Sequence, residues 1–202
     1  MTQIQTLFME LEAKTKGTST ETGSPLIQRA FRRASQALSE DGTERLQAAL
    51  ETAKLLAELR LGEAAIAAEL LCPCLEKNLL SKKDMENEFG AEVAALASEV
   101  AGINGVVAQG DPEKSEKMLL TTANDFRVIL IALAERKTLL EKTLANGGET
   151  HALASETLEV FGPLAEKIGI NSLRNALEDL AFGALYPTEC KRLGGKLRQS
   201  EK

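Results

Sequence analysis

The apolar positions of this chain crowd most densely between Asp125 and Lys137, where Val128 to Leu133 are six consecutive hydrophobic residues. A stretch without a polar face has to be surrounded by other apolar groups, so it belongs at the centre of the fold. Its wider context decides between strand and helix. Met118, Leu119, Thr122, Phe126, Ile129, Leu130, Leu133, Leu140 and Leu144 recur at three- and four-residue steps over a span too long for an ordinary strand. The pattern predicts a central helix over 118–144, with Glu135 and Arg136 at the edge of its dry part.

The same periodicity places helices on both sides. Ile4, Leu7, Phe8 and Leu11 give a modest amphipathic helix over 2–14, followed by a linker, Gly17 to Gly23. Ser24-Pro25 reads as an N-cap and first-turn proline for a helix to about Leu38, broken at Glu40-Asp41-Gly42. A helix over 43–61 is expected to stop at Gly62, and another from Glu63 to Leu71 to be interrupted by Pro73. Ser81 to Asp84 has capping-box spacing for a short helix ending at Phe89-Gly90. Residues 92–103 form the next, with Gly105 to Pro112 as loop. After the central helix, Ala145 to Gly148 turns the chain into a helix over 150–168 that Gly169 stops, and a last one covers 172–185 before Pro187.

Composition narrows the class. A 202-residue chain with 44% hydrophobic residues supports one sizeable core, and aromatics at 3% favour closely packed Leu- and Ala-rich helices over sheets. We therefore expect an all-α fold, a single multi-helix bundle. The expected organisation is an N-terminal helix and linker over 1–24, the main domain over 25–190 and a tail over 191–202. A net charge of −6 argues against binding nucleic acid or an anionic membrane. Cys72, Cys74 and Cys190 are an odd set without a disulfide pattern, no run is long and apolar enough to span a membrane, and the start lacks a signal-peptide pattern; a cytoplasmic protein is expected.

Several phrases in order resemble a known family. They are Ala64 to Leu71 with Glu76, Phe89-Gly90-Ala91-Glu92-Val93-Ala94, Lys117-Met118-Leu119, Asp125 to Arg136, Glu156 to Glu159, Pro163-Leu164-Ala165, Ile168-Gly169-Ile170 and Leu177 to Phe182. Over residues 25–190 the chain resembles the hydrolase domain of RelA/SpoT-type enzymes, members of the HD superfamily that remove the 3′-pyrophosphate of (p)ppGpp. The resemblance implies an HD-type bundle and a divalent metal, usually Mn²⁺, held by a first His, a His-Asp pair and a later Asp, with a Glu-Asp pair managing the attacking water. Such a metal lowers the pKa of its bound water while staying open to it.

This chain departs from that pattern at most of those positions. Leu38 falls near the first His, Cys72-Pro73 replaces the His-Asp pair, and Lys77 follows Glu76 where a second carboxylate is expected. Glu135 stands for the later Asp. Thr138-Leu139 replaces the His-Asn that begins the nucleotide-contacting phrase. The only His is His151, away from all these positions. Glu76 and Glu135 are thus the two remnants of a catalytic set, and no metal or other cofactor is expected.

Other chemistry is weaker. Cys72-Pro73-Cys74 offers thiolates for a soft metal but lacks a second ligand pair, and Cys72 with His151 lacks an orienting third group. Glu135 is expected to pair with Arg127, Arg136 or Lys137 rather than to join Glu76 around Mn²⁺ or Mg²⁺. No phosphate loop or dinucleotide fingerprint is present. The reading is a catalytically inactive (p)ppGpp hydrolase-like pseudoenzyme, regulatory or interacting in the stringent response, with a guanine-nucleotide alarmone or a protein as partner. The alternative is a divergent, Mn²⁺-dependent 3′-pyrophosphohydrolase. The sequence says nothing of oligomeric state.

Overall fold

The computed structural model describes residues 3–15, 24–38, 42–107, 117 and 125–190. Every regular element among them is helical, as the scarcity of strand formers requires. In chain order these are α1 (Gln3–Thr15), α2 (Pro25–Ala37), α3 (Thr43–Glu58), α4 (Glu63–Glu76), α5 (Lys82–Phe89), α6 (Ala91–Val107), α7 (Phe126–Ala145), α8 (His151–Glu156), α9 (Gly162–Lys167) and α10 (Asn171–Leu185). The expected linker from Gly17 to Gly23, the break at Glu40-Asp41, and the tail over 191–202 lie outside the described residues.

Local signals set several boundaries. Ser24 is the N-cap of α2, its Oγ accepting from Ile27 N at 3.4 Å, with Pro25 next in the first turn. Ser81 caps α5 by accepting from Asp84 N at 3.1 Å and donating to Asp84 Oδ2 at 2.5 Å. Gly169, at φ +76°, ends α9 in the left-handed region as expected.

Other boundaries differ from the sequence expectation for physical reasons. Gly62 opens α4 and is not the stop of α3. The chain leaves α3 through Arg60 in the left-handed region at φ 56°. Pro73 does not interrupt α4. It forfeits one hydrogen bond, to the Glu69 carbonyl, but the ten residues from Ala65 to Cys74 are all buried, and the helix resumes with Lys77 N on Pro73 O at 3.1 Å. Gly105 lies inside α6, because the buried Val100 and Ile103 carry the helix a further turn at the modest cost of one helical glycine. α7 begins at Phe126; the predicted turns over 118–124 are outside the described residues, and Phe126 is exposed rather than part of the core.

The helix expected over 150–168 is α8 and α9 joined by a π turn, Thr157–Phe161, in which Gly162 N bonds Thr157 O. The wider turn comes just before Pro163, which a regular helix tolerates poorly.

The chain falls into two compact units, one up to Glu135 and one from Arg136, with the boundary inside α7. In the first, α4 packs against α2, α3 and α6, α1 covers α3, and α5 lies on α6. Val128 to Ala134 of α7 are buried without exception, as their continuous hydrophobicity requires. In the second unit, Leu140, Ala154 and Ala181 form a core lined by Leu144, Leu153, Leu158 and Leu180. There the buried Arg136 guanidinium pairs with Glu156 and lies 4.0 Å from the Phe161 ring centroid.

Ile131 is fully buried. Replacing Ile131 by Asp strands a carboxylate in the apolar interior and should cost on the order of 4–5 kcal/mol, comparable with the whole stability of an ordinary domain. Thermal melts followed by circular dichroism should show the cooperative transition lost or lowered by more than ten degrees or so. An unchanged transition would mean that this face of α7 meets water.

Candidate functional site

The polar groups of the first unit converge where the apolar helices end. Glu69, Cys72 and Glu76 occupy positions i, i+3 and i+7 of α4 and therefore share one face. Arg45 comes from the first turn of α3, Asn104 from the last turn of α6 and Glu135 from the point where the buried run of α7 ends. The Cys72 thiol and the Glu76 and Glu135 carboxylates lie within 4.8 Å of one another.

One cation organises the cluster. Arg45 meets Glu76 as a two-pronged fork, Nη2 to Oε1 at 2.7 Å and Nε to Oε2 at 3.0 Å, while the same Nη2 reaches Glu135 Oε1 at 3.5 Å. The Asn104 amide bridges both acids, 2.8 Å from Glu76 Oε1 and 3.1 Å from Glu135 Oε1. Cys72 Sγ donates to Glu76 Oε1 at 3.6 Å. Glu69 Oε2 and Glu135 Oε2 are buried without a hydrogen-bond partner.

Three carboxyl groups around one guanidinium cannot all be equally ionised. Burial would raise the Glu76 carboxyl, but hydrogen bonds and charge from Arg45, with help from Asn104 and Cys72, hold it below its usual value. Burial pushes Glu135 up to about 7, Arg45 opposing and the Glu76 charge adding to the rise. Burial, then the Glu135 charge, drives Glu69 well above the usual range. Burial likewise lifts the Cys72 thiol, reinforced by the nearby carboxylates, and takes Cys74 up to about 11, so neither is a ready thiolate.

The remaining sequence candidates are placed as follows. Glu76 and Glu135 are brought together, and Cys72 is with them. Pro73 is buried in α4 and carries no polar side chain. Lys77 is exposed at the C-cap of α4. Leu38 is buried at the end of α2 and lines a cleft of ≈ 440 Å³ with Gly42, Glu76, Lys77 and Leu79; Arg45 of α3, not the end of α2, faces the acids. In the second unit Thr138 is buried, Leu139 half exposed and His151 exposed, so no imidazole belongs to the cluster.

The partner foreseen for Glu135 is corrected. Arg127 pairs with Asp125 at 2.6 Å and Glu92 at 2.7 Å, Arg136 with Glu156 and Lys137 with Glu141 at 2.5 Å; Arg45, ninety positions away, takes Glu135. Arg45, Asn104 and Glu69 were all missed. Glu69 had a signal, a lone acid on the Cys72–Glu76 face of an otherwise apolar run, and Asn104 interrupts a similarly apolar α6. Arg45 had none, because a basic residue early in a helix is ordinary.

Chemically, the cluster departs from the donor set that a catalytic Mn²⁺ prefers. That ion prefers carboxylate, imidazole and water, whereas here a thiol holding its proton replaces an imidazole and a guanidinium already neutralises the acids from a position against both.

The sign of the pH dependence follows from Glu135. Its folded pKa of about 7 exceeds the ordinary 4.5, so the native state holds the proton longer, and stability falls as pH rises from 4.5 to 7. The penalty is on the order of 3 kcal/mol above pH 7. Glu76, held low, has the opposite sign: its contribution is present above 4.5 and lost on further acidification. Urea melts of Glu135→Gln and parent should therefore nearly coincide in stability difference at pH 4.5 and diverge in favour of the variant up to pH 8. A difference that stays constant with pH would show Glu135 to titrate normally.

Comparison with known proteins agrees with this architecture. The profile of the HD domain family matches residues 24–171. The chain is 35% identical over 174 residues to a GTP pyrophosphokinase of Myxococcus xanthus, covering 82% of this chain and 23% of that protein. It is 35% identical over 146 residues to a guanosine-3′,5′-bis(diphosphate) 3′-pyrophosphohydrolase of Vibrio cholerae, covering 70% and 21%. With the bifunctional (p)ppGpp synthase/hydrolase SpoT of Escherichia coli strain K12 it shares 36% over 139 residues, 66% of this chain and 20% of the relative. The chain thus spans about a fifth of the length of these relatives. With its all-helical architecture and these relatives, the chain belongs to the HD-domain family as a domain of the RelA/SpoT type.

Proposed function

We propose that this chain is a catalytically silent (p)ppGpp hydrolase-like domain, a pseudoenzyme that acts through regulation or interaction in the stringent response. The observation that carries this reading is the Arg45 fork on Glu76, with the same guanidinium reaching Glu135. A hydrolytic metal has to draw charge from those carboxylates, and Arg45 already does so from within the chain. A fixed guanidinium has no open coordination position and cannot lower the pKa of a bound water as a metal does.

Its proposed partners are a guanine-nucleotide alarmone or a protein, not nucleic acid, in keeping with a net charge of −6. Among the described residues no helix is long and apolar enough to cross a membrane, and a cytoplasmic location is part of the proposal. A second reading has one observation in its favour. Cys72, Glu76 and Glu135 stand close enough together to share an ion, which suits a divergent Mn²⁺-dependent 3′-pyrophosphohydrolase.

The two readings separate in one assay, pyrophosphate release from ppGpp with Mn²⁺, run beside calorimetric titration of Mn²⁺ alone. We expect no turnover and no saturable micromolar Mn²⁺ binding from the parent. We also expect none from Cys72→His with Pro73→Asp, which restores two ligand types but leaves Arg45 and Lys77 in place. Mn²⁺-dependent turnover by the parent would establish the divergent enzyme, and robust turnover by the double variant would show that the site had lost only that one pair.

A further inference from the structure

The N-terminal helix α1 lies outside the span matched by the HD-domain family, yet it closes a cleft of ≈ 430 Å³ against α2. Phe8 and Phe31 stack face to face in its wall, ring centroids 3.9 Å apart and 8° from parallel. Gln28 Nε2 donates to Glu12 Oε1 at 2.6 Å. Because Phe8 meets Phe31 while Glu12 meets Gln28, the two helices run antiparallel along the cleft, and the carboxylate sits at one end.

The other end is different. Arg32 and Ser35 follow Phe31 on the same face of α2, and both line the cleft. Among the described residues neither Glu12 nor Arg32 has an ion-pair partner, and they do not pair with each other. Gln28 and Arg32 are four positions apart, which separates the acidic and basic levels by about 6 Å along the helix axis.

We propose that this cleft is a binding site for a small zwitterion whose ammonium and carboxylate flank a flat apolar body. The ammonium faces Glu12, the body lies against the Phe8–Phe31 stack, and the carboxylate takes Arg32. A singly charged ligand leaves one end without a counter-charge, and a neutral one leaves both. The site shares no residue with the Arg45 cluster, so its fate is independent of whether the domain hydrolyses ppGpp.

The test uses the full chain and three probes of matched shape: 4-(aminomethyl)benzoate, 4-methylbenzoate, which carries the anion alone, and benzylamine, which carries the cation alone. Titrations followed by amide ¹H–¹⁵N shifts should show saturable changes at residues 8–12 and 28–36, with the zwitterion bound about tenfold tighter than either singly charged probe. Glu12→Gln should bring the zwitterion down to the affinity of 4-methylbenzoate, and Arg32→Gln down to that of benzylamine. Both positions are solvent-accessible, and unchanged melting temperatures confirm that the variants fold. Equal affinities for the three probes, shifts confined to other residues, or a preference that survives both charge substitutions would overturn the proposal.

Discussion

Two helical segments among the described residues have no face to offer to water. Residues Ala65 to Cys74 of α4 and Val128 to Ala134 of α7 are buried all round, and the rest of the first unit is arranged to surround such segments. A surrounded helix can carry polar chemistry only where its apolar run ends or is broken. Glu69, Cys72 and Glu76 share one face of α4, and Glu135 follows directly on Ala134. The acidic cluster is therefore a product of how the core is closed, whatever use is made of it.

Closing the core in this way puts acids in a place with little water, where each uncompensated charge is expensive. The chain meets this with a single cation and with protons. Arg45 goes to the acid it can grip with both prongs, Glu76, and the remaining acids retain protons more readily than they would in solvent. Asn104 joins Glu76 and Glu135 through one amide, so the two acids are linked even though only one is fully paired. The arrangement is self-contained: cation, proton store and bridging amide all come from this chain.

What could be read in advance was what depends on neighbours in sequence. Continuous hydrophobicity located the buried part of α7, Ser24-Pro25 and Ser81 marked helix starts, and Gly169 marked a stop. The errors came where tertiary packing outweighed a local signal. Pro73 and Gly105 were read as breaks, but burial on all sides of α4 and along one face of α6 is worth more than one hydrogen bond or one glycine. Glu135 was expected to pair with Arg127, Arg136 or Lys137, so only the shared face of Cys72 and Glu76 followed from helix spacing. Arg45 did not, since its partners lie thirty-one and ninety positions away and nothing in the sequence distinguishes it from a solvated arginine.

The π turn between α8 and α9 sets a constraint of another kind, one of chain length. It holds one residue more than a regular helix would use, and each residue turns a helix by about 100°. Loss of one residue in Thr157–Phe161 would let the turn relax to ordinary α geometry with α9 facing the same way, because the wide turn already takes up the extra residue, whereas insertion of one residue there would swing all of α9 round by that angle. Leu164 and Ala165, now buried, would leave their packing, and Phe161 would no longer lie beside Arg136. Substitutions in this segment are therefore a question of chemistry, whereas a one-residue insertion is a question of phase. The second unit can absorb the first far more readily than the second.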